Sequence, residues 1–314
     1  MTQKTAFFFP GQGSQSVGML SGFGDNPVIK QTFTEASDIL NTDFWAMATE
    51  PNELLNQTQH TQPLMLIAGV ATYRAYIQAG GLQANIHAGH SLGEYTALVA
   101  SNALSFADAL PLAKFRAEVM QSAVPEGVGA MAAILGLDDD AVRAVCLEAA
   151  HDFKLKGEVC EAVNFNSPGQ VVIAGNKAAV ERGMEIAKTK GAKRALALPV
   201  SVPSHCALMR PAAENLAEYL KNVTINSPQI PVLHNADVVS YNDADKIKDA
   251  LVRQLYSPVR WAETVRTIAA QGIINSAECG PGKVLAGLTK RIVADLPCTA
   301  LTSNEAILEF INSN

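Results

Sequence analysis

The sequence predicts an α/β protein in which a parallel-sheet core is interrupted by a small inserted domain. Apolar strand-like runs alternate with helical patterns in both the first and the last third of the chain, which is typical of parallel sheets covered by helices. Between them, residues 129–199 follow the order βαββαβ. At 314 residues, the chain is longer than a usual single domain.

The N-terminal part supplies the first core elements. The apolar run 5–9 predicts a buried strand that enters the glycine loop Pro10-Gly11-Gln12-Gly13. A weaker strand is indicated at 84–88. Helical periodicity predicts three helices here, at 63–78, 92–102 and 105–122.

The third of these helices contains a proline. Ser105 and Asp108 have the spacing of a capping box, which marks the start of the helix. Pro111 cannot donate a backbone hydrogen bond, so we expect a kink or a late start.

The middle of the chain predicts a ferredoxin-like domain. Strands are expected at 130–136, 159–165, 170–174 and 195–200, and helices at 138–150 and 177–190. We therefore place the inserted domain at 127–199 and the core at 1–126 and 200–314.

Strands and helices alternate again after the insertion, which supports a parallel core. Helices are predicted at 206–221, 243–255, 259–271 and 284–293, with short strands at 232–235 and 274–278.

Composition excludes several classes of function. Hydrophobic residues make up 48% and charged residues 17%, as in ordinary soluble globular proteins. The net charge of −6 and the lack of a long basic run argue against nucleic-acid binding. The apolar run 6–9 is too short for a signal-peptide core, and no stretch has the length of a membrane span. We expect neither nucleic acid nor membrane as a partner.

The cysteines favour a reducing compartment. They are odd in number, widely spaced and without metal-ligand spacing. We expect free, mostly buried thiols, no metal site and a cytoplasmic location. The five are Cys146, Cys160, Cys206, Cys279 and Cys298.

A single short motif carries most of the chemical information. Gly89-His90-Ser91-Leu92-Gly93-Glu94 contains the Gly-x-Ser-x-Gly pattern of a nucleophile elbow, in which a sharp strand-to-helix turn exposes the serine hydroxyl. The glycines allow the close backbone approach of a strained turn. The helix N-terminus below the serine would favour a developing oxyanion. The alternative is an ordinary glycine-flanked serine in a βα turn.

A nucleophilic serine needs a base, and His205 is the best-placed of the six histidines. It follows Pro203 where the chain re-enters the core, and domain junctions are common places for catalytic groups. The alternative is a histidine that flanks the next helix. With the ordinary histidine pKa of about 6.5, reaction would decline as the pH falls through that value. Cys206 is a second candidate nucleophile, although a packing role is favoured.

Arg116 is a candidate for binding an anion. It shares a helical face with the apolar residues Ala109, Leu112, Ala113 and Met120. A charge on an apolar stripe needs a partner, and a substrate carboxylate would suit its bidentate fork. Alternatively, Arg116 extends to the surface or pairs with Glu118 or Glu94.

The loop Pro10-Gly11-Gln12-Gly13-Ser14-Gln15 could also contact an anion. It lacks the Lys-Ser/Thr of a phosphate-binding P-loop and the full Gly-x-Gly-x-x-Gly spacing. A backbone N–H donated to an oxyanion beside the elbow is the better interpretation.

Together these segments resemble the bacterial malonyl-CoA:acyl carrier protein transacylases. The resemblance includes residues 9–15, the elbow 89–94, Arg116, the segment 164–170, Pro203-Ser204-His205 and Gln254 within 252–256, in order along nearly the whole chain. It implies a hydrolase-like parallel-sheet core with a ferredoxin-like insertion. Pro111 is a departure that puts the direction of the Arg116 side chain in doubt.

The resemblance implies roles for individual residues. Ser91 would be the nucleophile and His205 its base, with the main-chain carbonyl at Gln254 accepting the second imidazole N–H. Arg116 would bind the malonyl carboxylate. The remaining implied contributions are the oxyanion-hole N–H groups of Gln12 and Leu92, and a substrate pocket that includes Gln12, Asn166, Gln254 and Met120.

The implied reaction is transfer of a malonyl group from malonyl-CoA to the phosphopantetheine thiol of holo acyl carrier protein, through a malonyl-serine ester. It needs no cofactor, and we expect a monomer. Two other functions stay open at this point: a serine esterase or thioesterase on a similar core, and a catalytically silent carrier-binding module.

Overall fold

The computed structural model describes residues 4–152, 157–200 and 202–314. Its strands are β1 (Thr5–Phe9), β2 (Ile86–Gly89), β3 (Gly129–Leu135), β4 (Cys160–Ser167), β5 (Gln170–Asn176), β6 (Arg194–Ala197), β7 (Val232–Leu233), β8 (Asn275–Glu278) and β9 (Cys298–Ala300).

Its α-helices are α1 (Pro27–Leu40), α2 (Phe44–Thr49), α3 (Thr58–Gln78), α4 (Gly93–Ala100), α5 (Phe106–Ser122), α6 (Asp139–His151), α7 (Lys177–Thr189), α8 (Arg210–Leu220), α9 (Ala244–Gln254), α10 (Trp261–Ala270), α11 (Val284–Ile292) and α12 (Asn304–Asn312).

The larger sheet is parallel, as the alternation of strands and helices predicted. Its order is β7-β2-β1-β8-β9, so the first strand of the chain lies in the middle. All five residues of β1 are buried, because both faces of the sheet are covered. Phe7 and Phe9 pack into one hydrophobic cluster, and Ala6 and Phe8 into another. The carboxyl end of β1 therefore lies beside that of β2, where the elbow begins.

The smaller sheet is antiparallel with the order β4-β5-β3-β6. Helices α6 and α7 pack against it around a separate hydrophobic cluster. This is the arrangement expected of a βαββαβ unit, and it confirms the predicted ferredoxin-like order. The domain boundaries at 126/127 and 199/200 stay a prediction.

Strand β4 is bonded to the segment just before α10, which lies outside both sheets. Phe165 donates its N–H to Val259 O at 3.0 Å, and Val259 donates to Val163 O at 2.8 Å. A cavity lies between the smaller sheet and the carboxyl end of the larger one.

Several helix boundaries differ from those predicted. Helix α3 begins at Thr58 and contains Pro63, and α5 begins at Phe106, so the predicted late start at Pro111 is wrong. Ser105 caps α5, because its hydroxyl accepts the Asp108 N–H at 3.0 Å. Because Pro111 has no N–H, the carbonyl of Ala107 lacks its helical hydrogen bond. Ala107 is exposed, so water can donate to that carbonyl instead.

Other elements are shorter or were not predicted. Strand β6 ends at Ala197, two residues before Pro199, which has no N–H to donate. A 3₁₀ turn (Ala207–Met209) precedes α8. The elements α1, α2, β9 and α12 have no counterpart in the predicted set.

The structure predicts an acid-sensitive stability that depends on His87. This β2 residue is fully buried, its ring stacks on Phe7 with centroids 5.9 Å apart, and neither ring nitrogen has a partner within the described ranges. Burial lowers its pKa from 6.5 to about 3. Between these two pKa values, His87 is protonated in the unfolded chain and neutral in the folded chain. The free energy of unfolding therefore decreases as the pH falls.

We expect His87 to contribute a loss of about 1 kcal/mol between pH 6.5 and 5.5, and about 1.4 kcal/mol per pH unit below that. Urea unfolding of His87→Leu at pH 6.5 and 5.5 should therefore show a smaller decrease than the wild type. Replacing the exposed His151 by leucine is the matched control and should preserve the wild-type decrease. Equal decreases in wild type and His87→Leu would contradict the prediction.

Candidate active site

The elbow motif forms a sharp turn between β2 and α4. Ser91 has a φ of 52°, in the left-handed region that a non-glycine residue rarely adopts. A Cβ on Gly89 would overlap the backbone of Gly93, and a Cβ on Gly93 would overlap the carbonyl of Phe9. Both glycines are therefore required by close backbone contacts, as the motif predicted.

Asn235 holds the turn from the side of β7. Its Oδ1 accepts the Ser91 N–H at 2.7 Å, and its Nδ2 donates to Gly89 O at 2.6 Å. These two bonds offset the cost of the unusual backbone conformation at Ser91.

Glu94 lies in the first turn of α4 and is completely buried. Its Oε2 accepts from the Asn235 N–H at 2.8 Å and from Gln254 Nε2 at 2.9 Å, and its Oε1 lies 2.7 Å from His234 Nδ1. Three bonds from outside α4 thus compensate the burial of this carboxyl group.

His205 faces the serine. Its Nε2 lies 2.8 Å from Ser91 Oγ, and its Nδ1 lies 2.7 Å from the main-chain carbonyl of Gln254. Because a carbonyl oxygen can only accept, Nδ1 carries the proton, and Nε2 is left to accept from the serine hydroxyl. His205 itself has a φ of 67° and donates its N–H to Leu255 O at 2.9 Å.

The surroundings keep His205 neutral. Burial, followed by the positive charge of Arg116, lowers its pKa from 6.5 to about 3, although the bond to Gln254 acts in the opposite direction. This direction differs from the expectation of a decline near pH 6.5, which used the pKa of a solvated imidazole, and a pH profile of acylation decides between the two. Below the ordinary pKa this histidine remains a base.

Arg116 reaches the serine from α5. It is 1% exposed, and its Nη2 donates to Ser91 Oγ at 3.1 Å and to Gln254 Oε1 at 2.9 Å, while Nη1 donates to Gln62 Oε1 at 2.6 Å. None of the ion pairs found in the described ranges includes Arg116. It neither extends to the surface nor pairs with Glu118 or Glu94, so this buried cation beside the serine has no ion-pair partner among the described residues.

Two backbone N–H groups near the serine are unoccupied. In the part of the chain that the structure describes, no acceptor binds the N–H of Gln12 or of Leu92. The loop after β1 is pressed against the elbow, since a Cβ on Gly11 would lie 2.5 Å from His90 O. These are the two groups that the resemblance assigns to an oxyanion hole.

A cavity of about 390 Å³ opens over these groups. The core contributes polar groups such as Gln12, Gln62 and Arg116, and the region of the smaller sheet contributes apolar side chains such as Met131 and Leu198. Lining residues include Gln12, Gln62, Leu92, Met120, Met131 and Leu198. A site with one apolar wall and a few convergent polar groups is typical of a small-molecule pocket.

Two of the expected pocket residues do not line this cavity. Asn166 instead has its Oδ1 2.8 Å from His90 Nε2, and Asn164 takes a place in the cavity wall. The side chain of Gln254 is fully buried behind Arg116. Gln12 and Met120 do line the cavity, as expected.

Cys206 is excluded as a nucleophile at neutral pH. Its thiol is fully buried and donates to Pro203 O at 3.1 Å. Burial raises its pKa to about 12. The favoured packing role is therefore correct.

Sequence reasoning missed Gln62, Asn235 and His234. No motif marks them, because each acts through a contact distant in sequence. Glu94 was visible as the last residue of the elbow segment, but its partners were not.

Neither a metal cluster nor a membrane helix emerges from the described residues. No group of three or more histidine, cysteine, aspartate or glutamate side chains there could hold a metal ion, and no helix there is long and apolar enough to cross a bilayer.

Comparison with known proteins supports one family. Residues 6–305 match the model of the acyl transferase domain. The malonyl CoA-acyl carrier protein transacylase of Escherichia coli strain K12 is 55% identical over 309 residues, which cover 98% of each chain. The chain belongs to the family of malonyl CoA-acyl carrier protein transacylases. The Bacillus subtilis member is 42% identical, over 97% of this chain and 95% of its own.

Solved structures of transacylases have the same fold. The malonyl CoA-acyl carrier protein transacylase of Coxiella burnetii superposes with a TM-score of 0.96 at 48% identity, covering 99% of this chain and 98% of its own. A malonyl-transacylase solved with its type II PKS acyl-carrier protein has a TM-score of 0.96 at 50% identity, covering 99% of this chain and 100% of its own. The hydrolase-like core with its antiparallel insertion is thus the fold of this transacylase family.

Proposed function

We propose that the protein transfers a malonyl group from malonyl-CoA to the phosphopantetheine thiol of acyl carrier protein, in fatty-acid biosynthesis. The observation that carries the proposal is the buried Arg116 guanidinium, which lies 3.1 Å from the Ser91 hydroxyl and forms no ion pair with a carboxylate of the described residues. Similarity to malonyl CoA-acyl carrier protein transacylases over nearly the whole chain supports this proposal.

The position of Arg116 favours a malonyl group over other acyl groups. In a malonyl thioester, one methylene separates the free carboxylate from the carbonyl that the serine attacks. A guanidinium within hydrogen-bond distance of the serine oxygen can therefore bind that carboxylate while the carbonyl is being attacked. An esterase for uncharged acyl groups has no need of this cation.

The first half-reaction uses His205 as the base. Nε2 of His205 takes the Ser91 proton as Oγ attacks the thioester carbonyl. The oxyanion that forms accepts hydrogen bonds from the N–H groups of Gln12 and Leu92. The carbonyl re-forms, the carbon–sulfur bond breaks, and the proton on His205 passes to the departing CoA thiolate. The product is a malonyl ester of Ser91.

The second half-reaction is the reverse chemistry with a different thiol. His205 deprotonates the phosphopantetheine thiol, whose sulfur attacks the malonyl-Ser91 carbonyl. The ester bond breaks, and Ser91 Oγ recovers the proton from His205. Because one thiol must leave before the other enters, this scheme is a ping-pong mechanism.

We further propose that the protein acts as a monomer in the cytoplasm. Ser91, His205 and Arg116, which the proposed reaction needs, all come from one chain, and all five cysteines are free thiols, as in a reducing compartment. A sedimenting mass of roughly twice 33.3 kDa would contradict the monomer.

The intermediate can be tested by intact mass. Incubation with malonyl-CoA should add one malonyl group to the protein, and peptide mapping should locate it on Ser91. Ser91→Ala should fold normally and take no label, because the attacking oxygen is gone. A label on Cys206 would contradict the assignment, rapid turnover to free malonate would favour an esterase, and no reaction would favour a carrier-binding module.

The pH dependence tests His205. With a pKa near 3, the base stays neutral as the pH falls, so kcat/KM for acylation of Ser91 should stay nearly constant from pH 8 to about 5. Returning samples to pH 7.5 controls for unfolding. His205→Ala should lose about 10²–10⁴-fold in rate. A midpoint near pH 6.5 would show that His205 is solvated in the free enzyme.

Acyl selectivity tests Arg116. We compare kcat/KM for malonyl-CoA and acetyl-CoA in wild type, Arg116→Ala and Arg116→Lys. Loss of a bidentate, charge-assisted pair should lower the malonyl value by about 10²-fold and spare the acetyl value. Lysine should rescue only partly, because an ammonium lacks the planar fork.

The matched control for Arg116 is Arg74→Ala. Arg74 is a partly buried arginine that pairs with Glu35 at 2.6 Å, outside the cavity. It should leave the malonyl-to-acetyl ratio unchanged. An equal decrease for both thioesters in Arg116→Ala would make Arg116 a structural residue.

A further inference from the structure

Two neutral side chains hold the Arg116 guanidinium. Oε1 of Gln62 accepts from Nη1 at 2.6 Å, and Oε1 of Gln254 accepts from Nη2 at 2.9 Å. Both glutamines are buried, with 2% and 0% exposure. Buried cations are usually compensated by carboxylates, so two carboxamides in these places require an explanation.

The orientation of each carboxamide follows from its other contacts. Nε2 of Gln254 donates to Glu94 Oε2 and to the Ser91 carbonyl, both at 2.9 Å. Because these oxygens can only accept, the Oε1 of Gln254 has to face Arg116. Nε2 of Gln62 lies 3.8 Å from the weak acceptor Sδ of Met120, which leaves its Oε1 for the guanidinium.

The guanidinium keeps unused donors in this arrangement. Of its five N–H groups, three are engaged, by Gln62, Ser91 and Gln254. The buried Nε has no partner among the described residues. The ring of Tyr95 also lies against the guanidinium, with its centroid 5.3 Å from Cζ. Neutral groups therefore fix the direction of Arg116, and among the described residues no carboxylate forms an ion pair with it.

We propose that Gln62 and Gln254 are specificity-determining positioning residues, whose neutral carboxamides aim Arg116 and leave its charge for the carboxylate of the acyl group. The inference rests on the proposed function. A glutamate at either position would form an ion pair with Arg116 and compete with a malonyl carboxylate. The neutrality of the two side chains, in addition to their hydrogen bonds, would then determine the preference for malonyl.

Gln62 is the better position for a test. The Gln254 side chain also contacts Glu94, where a second carboxylate would cause repulsion, and its main chain holds His205. Within the described residues, the side-chain hydrogen bonds of Gln62 go to Arg116 and Met120, and the residue lines the cavity. Gln62→Glu keeps the shape of the side chain and adds one negative charge next to an existing positive one.

The experiment compares acylation of Ser91 by malonyl-CoA and acetyl-CoA in wild type and Gln62→Glu. We expect kcat/KM for malonyl-CoA to fall by about 10²-fold, mainly through a higher KM, because a carboxylate-binding contact is lost. The acetyl-CoA value and the labelling of Ser91 by a neutral fluorophosphonate should fall much less than the malonyl-CoA value, because neither reagent carries a carboxylate for Arg116. Equal decreases for both thioesters would overturn the inference.

A second variant separates charge from packing. Gln62→Met is neutral but removes the acceptor for Arg116, so malonyl acylation should fall by about tenfold, less than in Gln62→Glu. A loss equal to or greater than that of Gln62→Glu would assign Gln62 to packing and overturn the inference. If Gln62→Glu does not fold, an unchanged malonyl-to-acetyl ratio in Gln62→Met would overturn it.

The control lies on the same helix. Gln78→Glu adds the same charge to an exposed side chain at the end of α3, and it should change neither thioester value. The wild type reports on the proposed function separately. If its Ser91 takes no malonyl group, the proposed function fails; if it does and both Gln62 variants keep the wild-type ratio, only this inference fails.

Discussion

The arrangement of the site depends on one buried carboxyl group. Glu94, in the first turn of α4, accepts the Asn235 N–H and the Gln254 side chain and lies against His234. A buried carboxyl group without partners would be strongly destabilising, so segments distant in sequence are held around it. Asn235 in turn holds the Ser91 turn, and the Gln254 carbonyl orients His205. The serine and the histidine are thus positioned by the same buried group.

The same network keeps two opposite charges apart. Arg116 and Glu94 are both buried, and the Gln254 side chain lies between them, accepting from one and donating to the other. A direct ion pair would satisfy both charges and leave no cation for a ligand. Separation by a carboxamide lowers the cost of burying Arg116 while preserving its ability to bind an anion.

Local patterns predicted most of the fold and part of the site. The glycines of the elbow and the βαββαβ order are short-range features, and both were confirmed in the structure. Asn166 illustrates the limit of such patterns. Strand β4 has irregularities on both sides of residues 164–165, and bulges redirect side chains. Asn164 lines the cavity, while Asn166 contacts His90, a residue of the cavity wall that is distant in sequence.

The sequence by itself determined the backbone of the elbow, because the space at Gly89 and Gly93 admits no Cβ. It also identified Ser91, His205 and Arg116 as candidates. Only the tertiary structure decided that His205 faces a serine 114 positions away and that Arg116 is buried beside that serine. It alone decided that the His205 pKa is about 3, because desolvation depends on everything packed around the ring and not on its neighbours in the chain.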